Sequence, residues 1–113
     1  MPFIDCKLSK KITQEQKDEI KTQLGKAVSL IRKTESYLMV GIDDGYSLYF
    51  AGESLANGAY VAVNLYGRAD ESCYEKLTAK ICDILNDIIG ANGENVYVTY
   101  REVKDWGWNG GNF

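Results

Sequence analysis

Histidine is absent from the 113 residues, and proline occurs once, at position 2, where average usage of about 5% would place roughly six. Without an imidazole, Ser-His-Asp and Cys-His catalytic arrangements are excluded, as are zinc sites that use histidine. The three cysteines, Cys6, Cys73 and Cys82, stand too far apart and in too odd a number for a disulfide framework or a CxxC pair. They read as small buried hydrophobes. No apolar run approaches the ~20 residues of a membrane span, and the opening Met1-Pro2-Phe3-Ile4-Asp5 lacks the basic and apolar stretches of a signal peptide. A cytoplasmic protein with unpaired thiols is the expectation. With 13 Lys+Arg against 16 Asp+Glu, the net charge is −3, and the basic residues are scattered. Nucleic acid is therefore not an expected partner, and neither is a membrane. The densest basic group, Lys7, Lys10 and Lys11, reads as a solvated turn. Any acid or base must come from a carboxylate, Lys, Tyr, Cys or the chain terminus.

What is present falls into two similar halves, residues 2–50 and 59–102, followed by a tail at 103–113. Pro2–Leu8 reads as a strand, and Thr13-x-x-Gln16 is a capping-box signature. Ile20, Leu24, Ala27, Val28 and Ile31 then share one helix face. Tyr37–Ile42 is an uninterrupted apolar run and reads as a second strand. Asp43-Asp44-Gly45 marks a turn rather than a metal site, and Tyr46–Phe50 a brief hairpin arm. In the second half, Ala59–Tyr66 is β-branched and aromatic. Ser72-x-x-Glu75 repeats the capping signature, and Leu77, Ile81, Ile84, Leu85 and Ile88 trace a helix face. Gly90 sits at a C-cap position, and Val96–Tyr100 reads as a strand. The expected fold is α/β (α+β in some schemes): one domain, a duplicated β-α-β, with a four-stranded mixed sheet and two helices on one face. Because the strands at 37–42, 60–66 and 96–100 are apolar or aromatic almost throughout, the open face calls for cover, most simply by another copy of the chain.

Three features can carry chemistry. Pro2 follows an initiating methionine that is normally removed before so small a residue. Removal would leave a secondary amine whose ordinary pKa of about 7.7–8.0 an apolar setting would lower. Met-Pro is also an ordinary opening, and composition alone favours that plain reading. Lys33 could hold a substrate carboxylate as a point charge or, with Arg32, complement a helix C-terminus. Trp106 and Trp108, on a Gly/Asn-rich tail, could wall an apolar pocket or cover a neighbouring subunit.

Taken together, the chain resembles the macrophage migration inhibitory factor family of the tautomerase superfamily. The resemblance rests on Met1-Pro2, Lys33 with Tyr37, Tyr49-Phe50-Ala51-Gly52, Val96-Tyr97-Val98 and Gly107-Trp108-Asn109, in order along nearly the whole chain. It implies a homotrimer with active sites between subunits, and Pro2 as the base for keto–enol tautomerisation of phenylpyruvate-like substrates without a metal or other cofactor. Lys33 would pair with the substrate carboxylate. A backbone N–H would come from Leu65 if aligned by number, or from Tyr66 if aligned by Gly67. Tyr97 would enter from the neighbouring subunit, with Trp106 and Trp108 at the aromatic end and Tyr37 at the rim. Thr99 stands where the family often has Asn, and Trp106 where better-known members have a smaller apolar residue. Asn57-Gly58-Ala59-Tyr60 replaces a cysteine pair found in some members, so no thiol-disulfide oxidoreductase activity of that kind is expected. The resemblance also carries a second reading, a cytokine-like protein that binds a receptor through the same trimer, and with it secretion without a signal peptide.

Overall fold

The computed structural model describes residues 1–113. The main sheet contains β1 (Pro2–Leu8), β2 (Met39–Asp43), β5 (Ala59–Tyr66) and β6 (Val96–Val103), in the spatial order β2-β1-β5-β6. β1 runs parallel to β2 and antiparallel to β5, while β5 runs parallel to β6. Helices α1 (Gln14–Ala27) and α2 (Glu71–Ile89) supply the two parallel crossovers, so β-α-β occurs twice. Two small hairpins stand apart from this sheet: β3 (Tyr49–Phe50) with β4 (Glu53–Ser54), and β7 (Gly107–Trp108) with β8 (Gly111–Asn112).

Local chemistry accounts for most boundaries. Thr13 accepts from the Gln16 N–H at 3.1 Å and Gln16 accepts from the Thr13 N–H at 2.9 Å, which completes the capping box. Helix α1 tightens at Val28–Ile31 into a 3₁₀ turn, yet all five residues of the expected stripe are buried. The second capping signature does not form. Asp70 is the N-cap of α2 and makes no side-chain cap bond, and Ser72 lies inside the helix. The α2 stripe ends on Ile89, which is buried, whereas Ile88 is only partly so. Gly90 ends α2 at φ 73°, a left-handed conformation that costs glycine nothing sterically. The strand expected from Tyr37 begins instead at Met39, because Glu35–Tyr37 closes a 3₁₀ turn through the Leu38 N–H to the Glu35 carbonyl. The arm expected at Tyr46–Phe50 is the hairpin Tyr49–Ser54, and β6 runs three residues beyond Tyr100.

Alternation along the strands divides the sheet. Ile4, Cys6, Leu8, Val61 and Val63 join the helix residues in the core, and Leu65 is buried on the same face. Period-two alternation puts Phe3, Asp5, Lys7, Tyr60, Ala62, Asn64, Tyr97, Thr99 and Arg101 on the other face. That face is less apolar than its strands suggested. Lys7 is not in a solvated turn but lies between Asp5 (3.4 Å) and Asp43 (3.6 Å). Tyr60 and Thr99 share a hydroxyl hydrogen bond of 2.9 Å. Large side chains still stand in the open there, Met39 being 67% and Tyr97 62% exposed.

Asp44 ties the first loop together. It accepts from the Ile12 N–H at 2.9 Å and pairs with Lys17 at 3.1 Å. The Ile12 hydrogen bond, and then Lys17, hold its carboxyl below the ordinary 3.8.

Candidate functional site

A cleft of about 640 Å³ opens where the start of β1 lies between the end of β5 and the start of the edge strand β2. It is lined by Met1, Pro2, Phe3, the segment Ser36–Met39, Asn64 and the tail residues Asp105–Trp108. The Pro2 ring is buried, on the helix side with Ile4 and Cys6, while Phe3, Met39 and Asn64 face the cleft from the open side. The tail crosses from β6 towards β2, so that Trp108 meets Tyr37 edge-on at 5.8 Å.

Lys33 sits just past the first helical segment because Arg32 turns the chain into the left-handed region, at φ 60°. Its ammonium donates to the Tyr66 carbonyl at 3.0 Å and retains two further donors. The terminal amine of Met1 lies below its ordinary pKa of 8.0, first through burial and then through the charge of Lys33. Both effects disfavour the protonated amine.

The register separates the two backbone donors that sequence alignment left open. Pro2 pairs with Leu65, and the Tyr66 N–H donates to the Met1 carbonyl at 3.1 Å. Successive N–H groups of a strand point to opposite sides, so the Leu65 N–H is directed towards β6. Leu65 itself is fully buried. Tyr66 is thus the residue whose N–H, carbonyl and ring all face the start of β1, Lys33 or the tail.

Tyr97 and Thr99 lie elsewhere in the chain. Tyr97 is beside Tyr60, five residues back along β5 from Leu65, or about 17 Å at 3.3 Å per residue. Its ring packs on Phe50 at 5.5 Å. Thr99 is beside Ala62, three residues from Leu65. One chain therefore brings Pro2, Lys33, Tyr37, Tyr66, Trp106 and Trp108 to one end of the sheet, and leaves Tyr97 and Thr99 away from it.

Phe113 is a member of the aromatic wall that sequence reasoning missed. Its ring lies 5.5 Å from Tyr66 and 6.3 Å from Trp108, and its N–H donates to the Trp106 carbonyl at 3.1 Å. The signal was Asn109-Gly110, the dipeptide of a two-residue hairpin turn. Both residues have positive φ, 52° and 82°, and the turn folds the chain end back onto Trp106. Ser36, Asn64 and Asp105, the polar residues of the lining, carried no sequence signal, since only the register and the tail's path bring them there.

Cys6 is buried and its thiol is pushed up to about 12, mainly by burial. A thiol so rarely ionised is a poor nucleophile, as expected of a core residue. No helix is long and apolar enough to cross a membrane.

No family model and no curated protein matches the sequence, but solved structures share the fold over its full length. Leishmania major MIF2 has a TM-score of 0.93 and 28% identity, covering 100% of this chain and 97% of that one. A macrophage migration inhibitory factor-like protein from Entamoeba histolytica has a TM-score of 0.89 and 26% identity, covering 99% of this chain and 98% of that one. A fused 4-OT wild type symmetric trimer has a TM-score of 0.85 over 96% of this chain and 93% of that one. At its 20% identity the likeness concerns the fold alone.

Proposed function

From a chain that fits the macrophage migration inhibitory factor family of the tautomerase superfamily, we propose a cofactor-independent tautomerase that interconverts keto and enol forms of phenylpyruvate-like 2-oxo acids. The observation that carries this reading is the terminal amine at a partly aromatic cleft, its pKa lowered by burial and by Lys33. Once Met1 is removed, the Pro2 nitrogen becomes that amine, and its ring restricts the direction of the lone pair. The neutral nitrogen takes a proton from the carbon next to the carbonyl and returns it to the carbonyl oxygen. A base poised near neutral pH suits this transfer.

The same excision removes the Met1 carbonyl from the Tyr66 N–H. Tyr66 can then donate to the substrate carboxylate beside Lys33, and the pair of donors fixes orientation. Leu65 has no such role in this reading. Trp106, Trp108 and Tyr37 hold the ring, with Tyr37 at the rim. The working form in this reading is a homotrimer, in which Tyr97 and Thr99, placed away from the cleft of their own chain, would reach that of a neighbouring copy. A known relative in fold is itself a symmetric trimer.

The test is turnover of phenylpyruvate enol by protein whose first residue is established by mass spectrometry. Processed wild-type protein is expected to be active. Protein retaining Met1 should be inactive, and Pro2→Ala should lose at least about a hundredfold in kcat, the contribution of a positioned base. Full activity in Pro2→Ala would overturn the catalytic reading in favour of the receptor-binding one, and binding of a cell-surface partner by that variant would then be measured.

A further inference from the structure

Among the residues lining the cleft, Asp105 is the only one with an ionisable side chain other than Tyr37. It has no partner. The chain's three ion pairs use Asp5, Asp43 and Asp44 with Lys7 and Lys17, and Asp105 enters none of them. No side-chain hydrogen bond engages it either. Lys33, beside the same cleft, spends one donor on the Tyr66 carbonyl and leaves Asp105 alone. The one anionic side chain of the cleft is thus unpaired, with Trp106, Trp108 and Tyr37 among the other lining residues, while the Lys33 charge is felt at the Met1 amine on the same cleft.

An unpaired carboxylate accepts hydrogen bonds and donates none. It therefore favours ligands that carry a donor or a positive charge, and repels those with a further anionic group. We propose that Asp105 is a specificity-determining residue, selecting aromatic 2-oxo acids whose ring bears a hydrogen-bond-donating or cationic substituent over those with a bare or anionic ring. The inference rests on the tautomerase reading for its substrates, but the charge selection itself does not depend on turnover. Lys33 meets the 2-oxo carboxylate and Asp105 meets the ring substituent. The ligand is an aromatic body with opposite polarity at its two ends.

The experiment compares processed wild-type protein with Asp105→Asn, which keeps the shape and removes the charge. Two readouts are used. The first is the ratio of kcat/KM for 4-(aminomethyl)phenylpyruvate to that for phenylpyruvate. The second is the ratio of affinities for 4-(aminomethyl)benzoate and benzoate, followed by quenching of Trp106 and Trp108 fluorescence. Both ratios should fall about five- to tenfold in Asp105→Asn, as loss of a charge-assisted hydrogen bond implies. The corresponding ratio for 4-carboxyphenylpyruvate should rise. Ratios within twofold of wild type in a folded Asp105→Asn would overturn the proposal. If no substrate turns over but the affinity ratio falls as expected, the assignment of Asp105 stands and the tautomerase reading fails.

Discussion

In the proposed mechanism a backbone nitrogen serves as the base through its surroundings, not through any property of proline alone. Burial and the Lys33 charge both lower the amine at the chain start, so more of it is neutral at a given pH. The sign gives a testable pH dependence. With the same two causes acting on the Pro2 amine that processing exposes, activity should rise with pH along an acid limb shifted downward by them. Removing the Lys33 charge removes one cause of the depression, so Lys33→Met should move that limb to higher pH. The same substitution deletes the proposed carboxylate partner, and KM for phenylpyruvate should rise about tenfold, the effect of losing one charge-assisted contact. A pH–rate profile and KM measured together check both. An unmoved acid limb would show that Lys33 does not act on the base. Tyr66 behaves differently, because its donor belongs to the main chain and survives any side-chain replacement. Its ring, packed on Phe113, is what substitution can alter.

Elements differ in how directly their residues dictate them. The capping box at Thr13 and the Gly90 terminus were legible, because each depends on neighbours within four residues. Ser72 had the same local signature and failed, since the chain entered α2 one residue after Asp70. Strand β2 began later than its apolar run, because Tyr37 belonged to a turn that serves the cleft. The β3–β4 hairpin shows strain at one position. Ala51 adopts φ 52° ahead of Gly52 at 83°, a region where a Cβ meets the neighbouring backbone. Ala51→Gly relieves this at some cost in unfolded-chain entropy. It should raise stability by about 0.5 kcal/mol, visible as a small upward shift in Tm. A fall in Tm would mean that the Ala51 methyl makes contacts in the assembled protein that outweigh the strain.

For the whole molecule the issue is the sheet face left without helices. It holds the Lys7 ion pairs and the Tyr60–Thr99 bond, so charge and hydroxyl groups occupy much of what the strand composition marked as apolar. Exposed Met39, Tyr97 and, on the hairpin, Tyr49 nevertheless remain, as do two hairpins outside the main sheet. Assembly would bring such groups under cover, and the proposed homotrimer makes a specific prediction through Tyr97. Pro2→Ala and Tyr97→Ala proteins, each deficient alone, should recover roughly a quarter of wild-type activity when unfolded and refolded together, the chance that a site draws its intact residues from the two different parents in a closed ring. Absence of recovery, with mixed trimers confirmed by native mass spectrometry, would place Tyr97 outside the neighbour's site.

Composition and local pattern by themselves determined the β-α-β order, the helix faces and the exclusion of imidazole chemistry. These follow from periodicity and from residue types, which need no partner distant in the chain. The full-length resemblance pointed to Pro2 and Lys33, and to Tyr97 as a residue of another subunit. Only the tertiary structure decided which strand positions face each other. The pairing of Pro2 with Leu65 turned the Tyr66 N–H towards the chain start, and the length of β5 set Tyr97 far from Pro2. The tail's fold brought Asp105 to the cleft and Phe113 onto Tyr66. A one-residue change of register reverses every side chain and every N–H. That is why the contents of the cleft could not be read until the strands were paired.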